Sequence, residues 1–203
     1  PPIYQTSTFY FDTTQAAVDS FQDFMDSFAY SRITNPSQEY LEEKLAALEH
    51  GRGCVAYASG MGAVTGALFA ALKQGDHAIF VKAKYSGTEE VADDWFRRFG
   101  IETSNFSAEK LETDLEPLFR ENTKLVYLES PANPTMVMVD IERAAQIAHK
   151  HGAKVFVDNT FASPYNTNPL DLGADFVLRK FFSRNAFVLG VIGAVKAAVD
   201  AVV

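Results

Sequence analysis

Apolar residues along this chain gather into short continuous runs, separated by stretches with helical spacing. The runs are CVAYAS (54–59), HAIFVK (77–82), KLVYLES (124–130), KVFVDN (154–159) and DFVL (175–178). They have the length of strands, and they lack the in–out alternation of a strand with one wet face. Between them, 61–73, 87–98, 109–119 and 140–150 carry helical patterns. KQGDH and KHGAK read as helix-to-strand turns built on glycine. Continuous apolar strands alternating with amphipathic helices predict an α/β fold. It has three layers, with a mostly parallel sheet and helices on both faces.

The two ends are different. Residues 1–35 are polar and aromatic, with weak periodicity. SRITNPSQEY then predicts a helix start: Asn35 can cap it, Pro36 suits the first helical position and acids follow. Leu41, Leu45 and Leu48 fall on one face of that helix, and His50-Gly51 ends it. The tail VIGAVKAAVDAVV is apolar and reads as a strand running into a helix.

Composition narrows the class without changing the pattern. The chain has 203 residues, 47% apolar and 22% charged, enough for one large core or one domain plus part of a second. A net charge of −8 argues against nucleic acid as a partner, and Arg97-Arg98 reads as a solvated helix face. The single cysteine, Cys54, excludes an internal disulfide and is expected to be a buried structural thiol in a reducing compartment, the cytoplasm. No apolar run reaches the roughly 18 residues of a membrane span, so no membrane is expected. PPIYQTSTF is not a signal peptide. It lacks a Met and opens mid-segment, which leaves room for an upstream segment.

In an open α/β sheet, ligands sit beyond the carboxyl ends of the strands. ASGMGA follows one strand and opens a helix, where Ser59 offers a hydroxyl and Gly60 and Met61 offer free amides. That is a seat for phosphate, or simply a tight turn that needs glycine. Asp158 ends a strand, where a buried carboxylate needs a cation, a metal or a protonated ring nitrogen, unless it only caps the next turn. In YLESPANPT, Glu129 stands at a strand tip and two prolines restrict Asn133. Tyr85 lies just past a strand, placed to stack on a flat cofactor, to donate a proton or to be an ordinary half-buried tyrosine. Glu129 with Asp158 suggests Mg²⁺, but no third ligand stands out.

Taken in order, YSRITNPS, ASGMGA, YSGT, LESPANPT, VDNTFASP and LGADFVL resemble the Cys/Met-metabolism family of pyridoxal 5′-phosphate enzymes. The resemblance runs from the first residues to about Leu178. It implies the large domain of a type I pyridoxal-phosphate-dependent transferase, truncated, in 46–203, behind an N-terminal arm at 1–45. It also implies a homodimer or a dimer of dimers. Tyr30 and Arg32 of the arm would reach the neighbouring subunit's cofactor phosphate, which the planar guanidinium fork suits. Ser59, Gly60 and Met61 would hold the phosphate, and Tyr85 would stack on the ring and serve proton transfer. Asp158 would pair with the ring nitrogen, and Asn133 would hold the hydroxyl side. For Glu129 the expectation is a supporting role.

One stretch departs from the family. The resemblance expects ADxVxHSxTKY from Ala174, with the lysine joined to the cofactor as a Schiff base and the Ser and Thr on its phosphate. This chain has Ser183 at the lysine position, Lys180 at the serine position and Phe182 at the threonine position. Lys180 is the candidate substitute for the Schiff-base lysine, although a three-residue shift on a strand moves an ammonium by roughly 10 Å. Lys196 lies further on, in the apolar tail. Family members are about twice as long, so the C-terminal domain is expected to be absent. The implied activity is β/γ-elimination or γ-replacement on sulfur amino acids or O-acylhomoserine, in trans-sulfuration and methionine metabolism. Methionine γ-lyases would carry Cys two residues after the stacking Tyr; Gly87 here leans the reading toward a γ-synthase or another lyase. The alternatives are a non-catalytic partner subunit that retains the fold, or a Mg²⁺-dependent phosphate-handling protein.

Overall fold

The computed structural model describes residues 1–22 and 27–180, and the backbone of 190–193. The chain divides into two units, Pro1–Lys44 and Leu45–Val203. In the first unit, α1 (Thr14–Gln22) forms where the weak periodicity predicted no element. The signal for it was local: the Ala16 N–H donates to Thr13 Oγ1 at 3.0 Å, an N-terminal cap. Thr8 bridges Tyr30, and Asn35 accepts the Ser37 N–H at 2.8 Å, starting α2 (Pro36–Leu48) as expected. The buried stripe of α2 runs through Leu45 and Ala46, whereas Leu48 in its last turn is 50% exposed.

The second unit holds a seven-stranded sheet. Its strands are β1 (Val55–Tyr57), β2 (His77–Val81), β3 (Glu102–Phe106), β4 (Thr123–Glu129), β5 (Lys154–Asp158), β6 (Phe176–Lys180) and β7 (Gly190–Gly193). They lie in the order β1-β7-β6-β5-β4-β2-β3. β3, β2, β4, β5 and β6 are parallel, and β7 pairs antiparallel with β6 and with β1. One face is covered by α3 (Gly60–Ala71), α4 (Ser86–Glu90) and α5 (Phe96–Arg98). Val64, Leu68, Val91 and Phe96 pack there on Phe80, Tyr127, Phe156 and Leu178. The other face is covered by α6 (Leu111–Asp114) and α7 (Ile141–Lys150), packed on Ile79, Val126, Leu128, Val157 and Val177. The three-layer reading therefore holds, and burial on both faces explains the unbroken apolar runs. A last short helix, α8 (Ser163–Asn166), follows β5.

Several local expectations change. The 87–98 helix contains a π turn at Val91–Trp95 between α4 and α5. The 109–119 helix is broken into α6 and flanking 3₁₀ turns, and on the C-terminal side Pro117 has no N–H to continue an α-helical ladder. β3 was missed because it is an edge strand whose polar residues obscure its pattern. β1 is also an edge strand. Val55 is 51% exposed and Cys54 is half-buried rather than in the core, at the edge of the sheet as formed by the described strands.

The register of β5 against β6 is held at its start by Asp175. Its carboxylate accepts from His149 Nε2 (2.9 Å), Lys154 Nζ (3.0 Å) and the Val155 N–H (2.9 Å). Burial works against the ionised carboxyl, but the bonds from His149, Val155 and Lys154 outweigh it and hold Asp175 below the usual aspartate range. With the folded value depressed, its stabilisation is present at neutral pH and lost as pH falls through the acid range. Asp175→Ala should lower unfolding free energy by about 2–3 kcal/mol in urea at neutral pH. The loss should shrink as the pH is lowered, and a constant loss would speak against an ionic role.

Candidate active site

At the carboxyl ends of β4, β5 and β6 lies a cavity of about 220 Å³. Gly60, Met61, Tyr85, Glu129, Asn133, Asp158, Thr160 and Lys180 line it. Sequence reasoning singled out most of these from five separate segments, and the sheet brings them together.

Each wall has its own cause. Ser59 has an extended backbone, and its Oγ accepts the Gly62 N–H at 2.9 Å, which caps α3. This leaves the Gly60 and Met61 N–H groups without an acceptor inside the helix, at the positive end of its dipole. Ser59 itself is not part of the cavity lining; its work is the cap. Tyr85 precedes α4 and is 40% exposed. Its ring needs Gly87, because a Cβ there would stand 2.8 Å from Tyr85 Cε1 and 2.9 Å from Met61 Sδ.

Glu129 and Asp158 are the last register partners of β4 and β5, so two carboxylates stand side by side. Glu129 joins two loops: its Oε2 accepts the Tyr85 N–H at 2.6 Å and its Oε1 the Asn133 N–H at 2.9 Å. The sequence placed Glu129 at a strand tip and expected only a supporting role; the bridge required knowing which loops flank β4. Asp158 accepts the Thr160 N–H on Oδ1 at 3.0 Å and the Tyr127 hydroxyl on Oδ2 at 3.4 Å. Tyr127 and Thr160 were not anticipated. Tyr127 looked like core in its apolar run, and Thr160 like loop.

The electrostatics follow from this crowding. Burial pushes Glu129 up to about 7, helped by the Asp158 charge and opposed by the Asn133 and Tyr85 N–H groups and by Lys84. Burial likewise raises the Asp158 carboxyl, against the pull of Thr160, Tyr127 and Arg179. Arg179 forms a buried ion pair with Glu49. Lys180 ends β6, and its N–H donates to Thr160 Oγ1 at 3.0 Å. Tyr30 and Arg32 belong to the first unit, where the Arg32 guanidinium donates to the Tyr30 hydroxyl at 2.8 Å and lies 4.9 Å from its ring centre. Phe182, Ser183 and Lys196 lie outside the described residues.

The donor set suits pyridoxal 5′-phosphate. It combines helix amides for a phosphate, a tyrosine ring for a flat face, an amide side chain and a strand-tip carboxylate able to accept from a cationic N–H. Among the described residues no cluster of three or more His, Cys, Asp or Glu could hold a metal ion. No described helix is long and apolar enough to cross a membrane.

Sheet, helix N-terminus and strand-tip carboxylate together define a cofactor-binding α/β domain of the pyridoxal-phosphate type. The family described as Cys/Met metabolism PLP-dependent enzyme matches residues 1–197, and the chain belongs to that family. It is 44% identical over 178 residues to an L-methionine gamma-lyase of Porphyromonas gingivalis, covering 87% of this chain and 44% of that protein. It is 39% identical over 198 residues to the cystathionine beta-lyase MetC of Bacillus subtilis, covering 96% of this chain and 48% of that one. A Campylobacter jejuni crystal structure containing N′-pyridoxyl-lysine-5′-monophosphate superimposes with a TM-score of 0.86 at 32% identity, covering 96% of this chain and 49% of that one. The chain thus spans about half the length of the relatives it matches.

The raised carboxyl of Glu129 has a consequence for stability. Its folded value of about 7 lies above its ordinary 4.5, so the folded chain holds the extra proton between them. Stability from this group is complete below the lower value and is lost as pH rises through the upper one. Urea midpoints should therefore decline between about pH 5 and 7, and Glu129→Gln should flatten that decline while lowering the midpoint through the lost loop bond. An unchanged profile in the variant would remove Glu129 as its source.

Proposed function

We propose that this chain is the cofactor-binding part of a pyridoxal 5′-phosphate enzyme acting on sulfur amino acids or O-acylhomoserine by β/γ-elimination or γ-replacement. The observation that carries the reading is the convergence of the α3 amides, Tyr85, Asn133 and Asp158 on one cavity. When bound, the cofactor supplies an electron sink for negative charge developing on substrate carbon. The protein's own residues do the rest. Asp158 would keep the proton on the ring nitrogen, in a low-dielectric setting that would strengthen the pairing. Asn133 would hold the ring hydroxyl, and Glu129 holds its loop and that of Tyr85 in one geometry. Tyr85 would stack on the ring, exclude water and offer its hydroxyl for proton transfer. Gly60 and Met61 bind the phosphate through their N–H groups, with Ser59 setting the helix end that presents them. In a homodimer or dimer of dimers in the cytoplasm, Tyr30 and Arg32 add a guanidinium to the neighbour's phosphate.

A second reading rests on Ser183, which stands eight residues after Asp175, where the family pattern has its lysine. In that reading the chain is a non-catalytic partner that keeps the cofactor fold.

Equilibrium dialysis with pyridoxal 5′-phosphate tests the first part, and Asp158→Asn should weaken binding about 10- to 100-fold through loss of a charge-assisted hydrogen bond. Release of a 2-oxo acid from L-methionine, L-cystathionine or an O-acylhomoserine tests the second. Binding without turnover favours the partner subunit, and absence of binding defeats both readings.

A further inference from the structure

Lys180 lies two positions after Leu178 on β6, and Leu178 packs on the α3 side of the sheet. The two-residue period of a strand turns the Lys180 side chain to that same side. There its stem crosses the first residue of α3: a Cβ on Gly60 would stand 3.0 Å from Lys180 Cδ, 3.2 Å from Cγ and 3.3 Å from Cβ. The missing side chain at Gly60 is what admits it. The bond from the Lys180 N–H to Thr160 Oγ1 anchors the backbone at this point.

This places an ammonium-bearing side chain beside the N-terminus of a twelve-residue helix, where positive charge is electrostatically unfavourable. An anion received between them reverses the sign of the interaction. The same cavity contains Glu129 and Asp158, so a phosphate monoester entering it gains from a nearby cation. Arg179 also borders the cavity, but its guanidinium is committed to the buried ion pair with Glu49.

We propose that Lys180 is the phosphate anchor of the cavity, joining the Gly60 and Met61 amides on the cofactor's phosphate rather than bonding to its carbonyl carbon. The inference rests on the cofactor reading above. It adds a cation from the cavity's own wall to the amides and the neighbouring subunit's guanidinium of that reading, and it removes Lys180 as the substitute for the covalent lysine.

Pyridoxine 5′-phosphate tests it, since this ligand has the ring and phosphate but no aldehyde. Lys180→Met and Lys180→Gln should each weaken its binding about 10- to 100-fold, whereas Lys180→Arg should stay within about threefold. Binding of pyridoxine, which lacks the phosphate, should be equal in all four chains. Circular dichroism at the temperature of the assay identifies a variant that has unfolded, and the remaining two then decide the result. Undiminished binding by Lys180→Met and Lys180→Gln overturns the proposal. So does a pyridoxyl group found on Lys180 by peptide mass spectrometry after borohydride reduction with pyridoxal 5′-phosphate. If the unsubstituted chain fails to bind pyridoxine 5′-phosphate, the cofactor reading falls and this proposal with it.

Discussion

Two carboxylates at the tips of adjacent parallel strands are the constraint around which this site is built. Glu129 and Asp158 face one another in register, the first buried and the second half-buried. A sheet tolerates such a pair only if donors converge on it or one member takes up a proton. Both responses are present. Glu129 collects two backbone N–H groups and has its proton affinity raised to about 7. Asp158 collects Thr160 and Tyr127 and still has its carboxyl pushed up by burial. Asp158 borders the cavity, where a cationic hydrogen-bond donor would find it.

The opposite wall has the opposite polarity. The N-terminus of α3 presents amides, and the stem of Lys180 lies across Gly60. A ligand with an anionic phosphate at one end and a protonated ring nitrogen at the other matches this division of charge. Tyr85, with Gly87 leaving room for its ring, borders the cavity between the two ends. The loops bearing Tyr85 and Asn133 are tied to the same carboxylate, so a change at Glu129 is felt on two sides of the cavity together.

Asp175, at the far end of β5 and β6, does for the scaffold what Glu129 does for the loops. By accepting from His149, Lys154 and Val155 it sets where β6 begins against β5. That register decides that Lys180 emerges at the α3 N-terminus while Arg179 turns toward Glu49. The neighbouring side chains at the end of one strand both border the cavity, Arg179 through its ion pair with Glu49 and Lys180 across Gly60.

Much of this was legible in the sequence, for physical reasons. Strands buried on both faces read as unbroken apolar runs, and the turns between them need glycine, so the α/β layering and the segments carrying Gly60, Tyr85, Asn133 and Asp158 could be found by pattern alone. Edge strands do not carry that signal, which is why β3 was overlooked and β1 with Cys54 was expected deeper than it lies. The partnerships were not legible. Glu129 meets the Tyr85 N–H across 44 residues, and Tyr127 meets Asp158 across 31. Contacts at such separation depend on strand order and register, which side-chain periodicity does not encode. The sequence by itself determined the fold class and the family. Only the tertiary structure decided which carboxylate ties the loops together and which lysine stands at the helix end, because both follow from how parallel strands are placed beside one another.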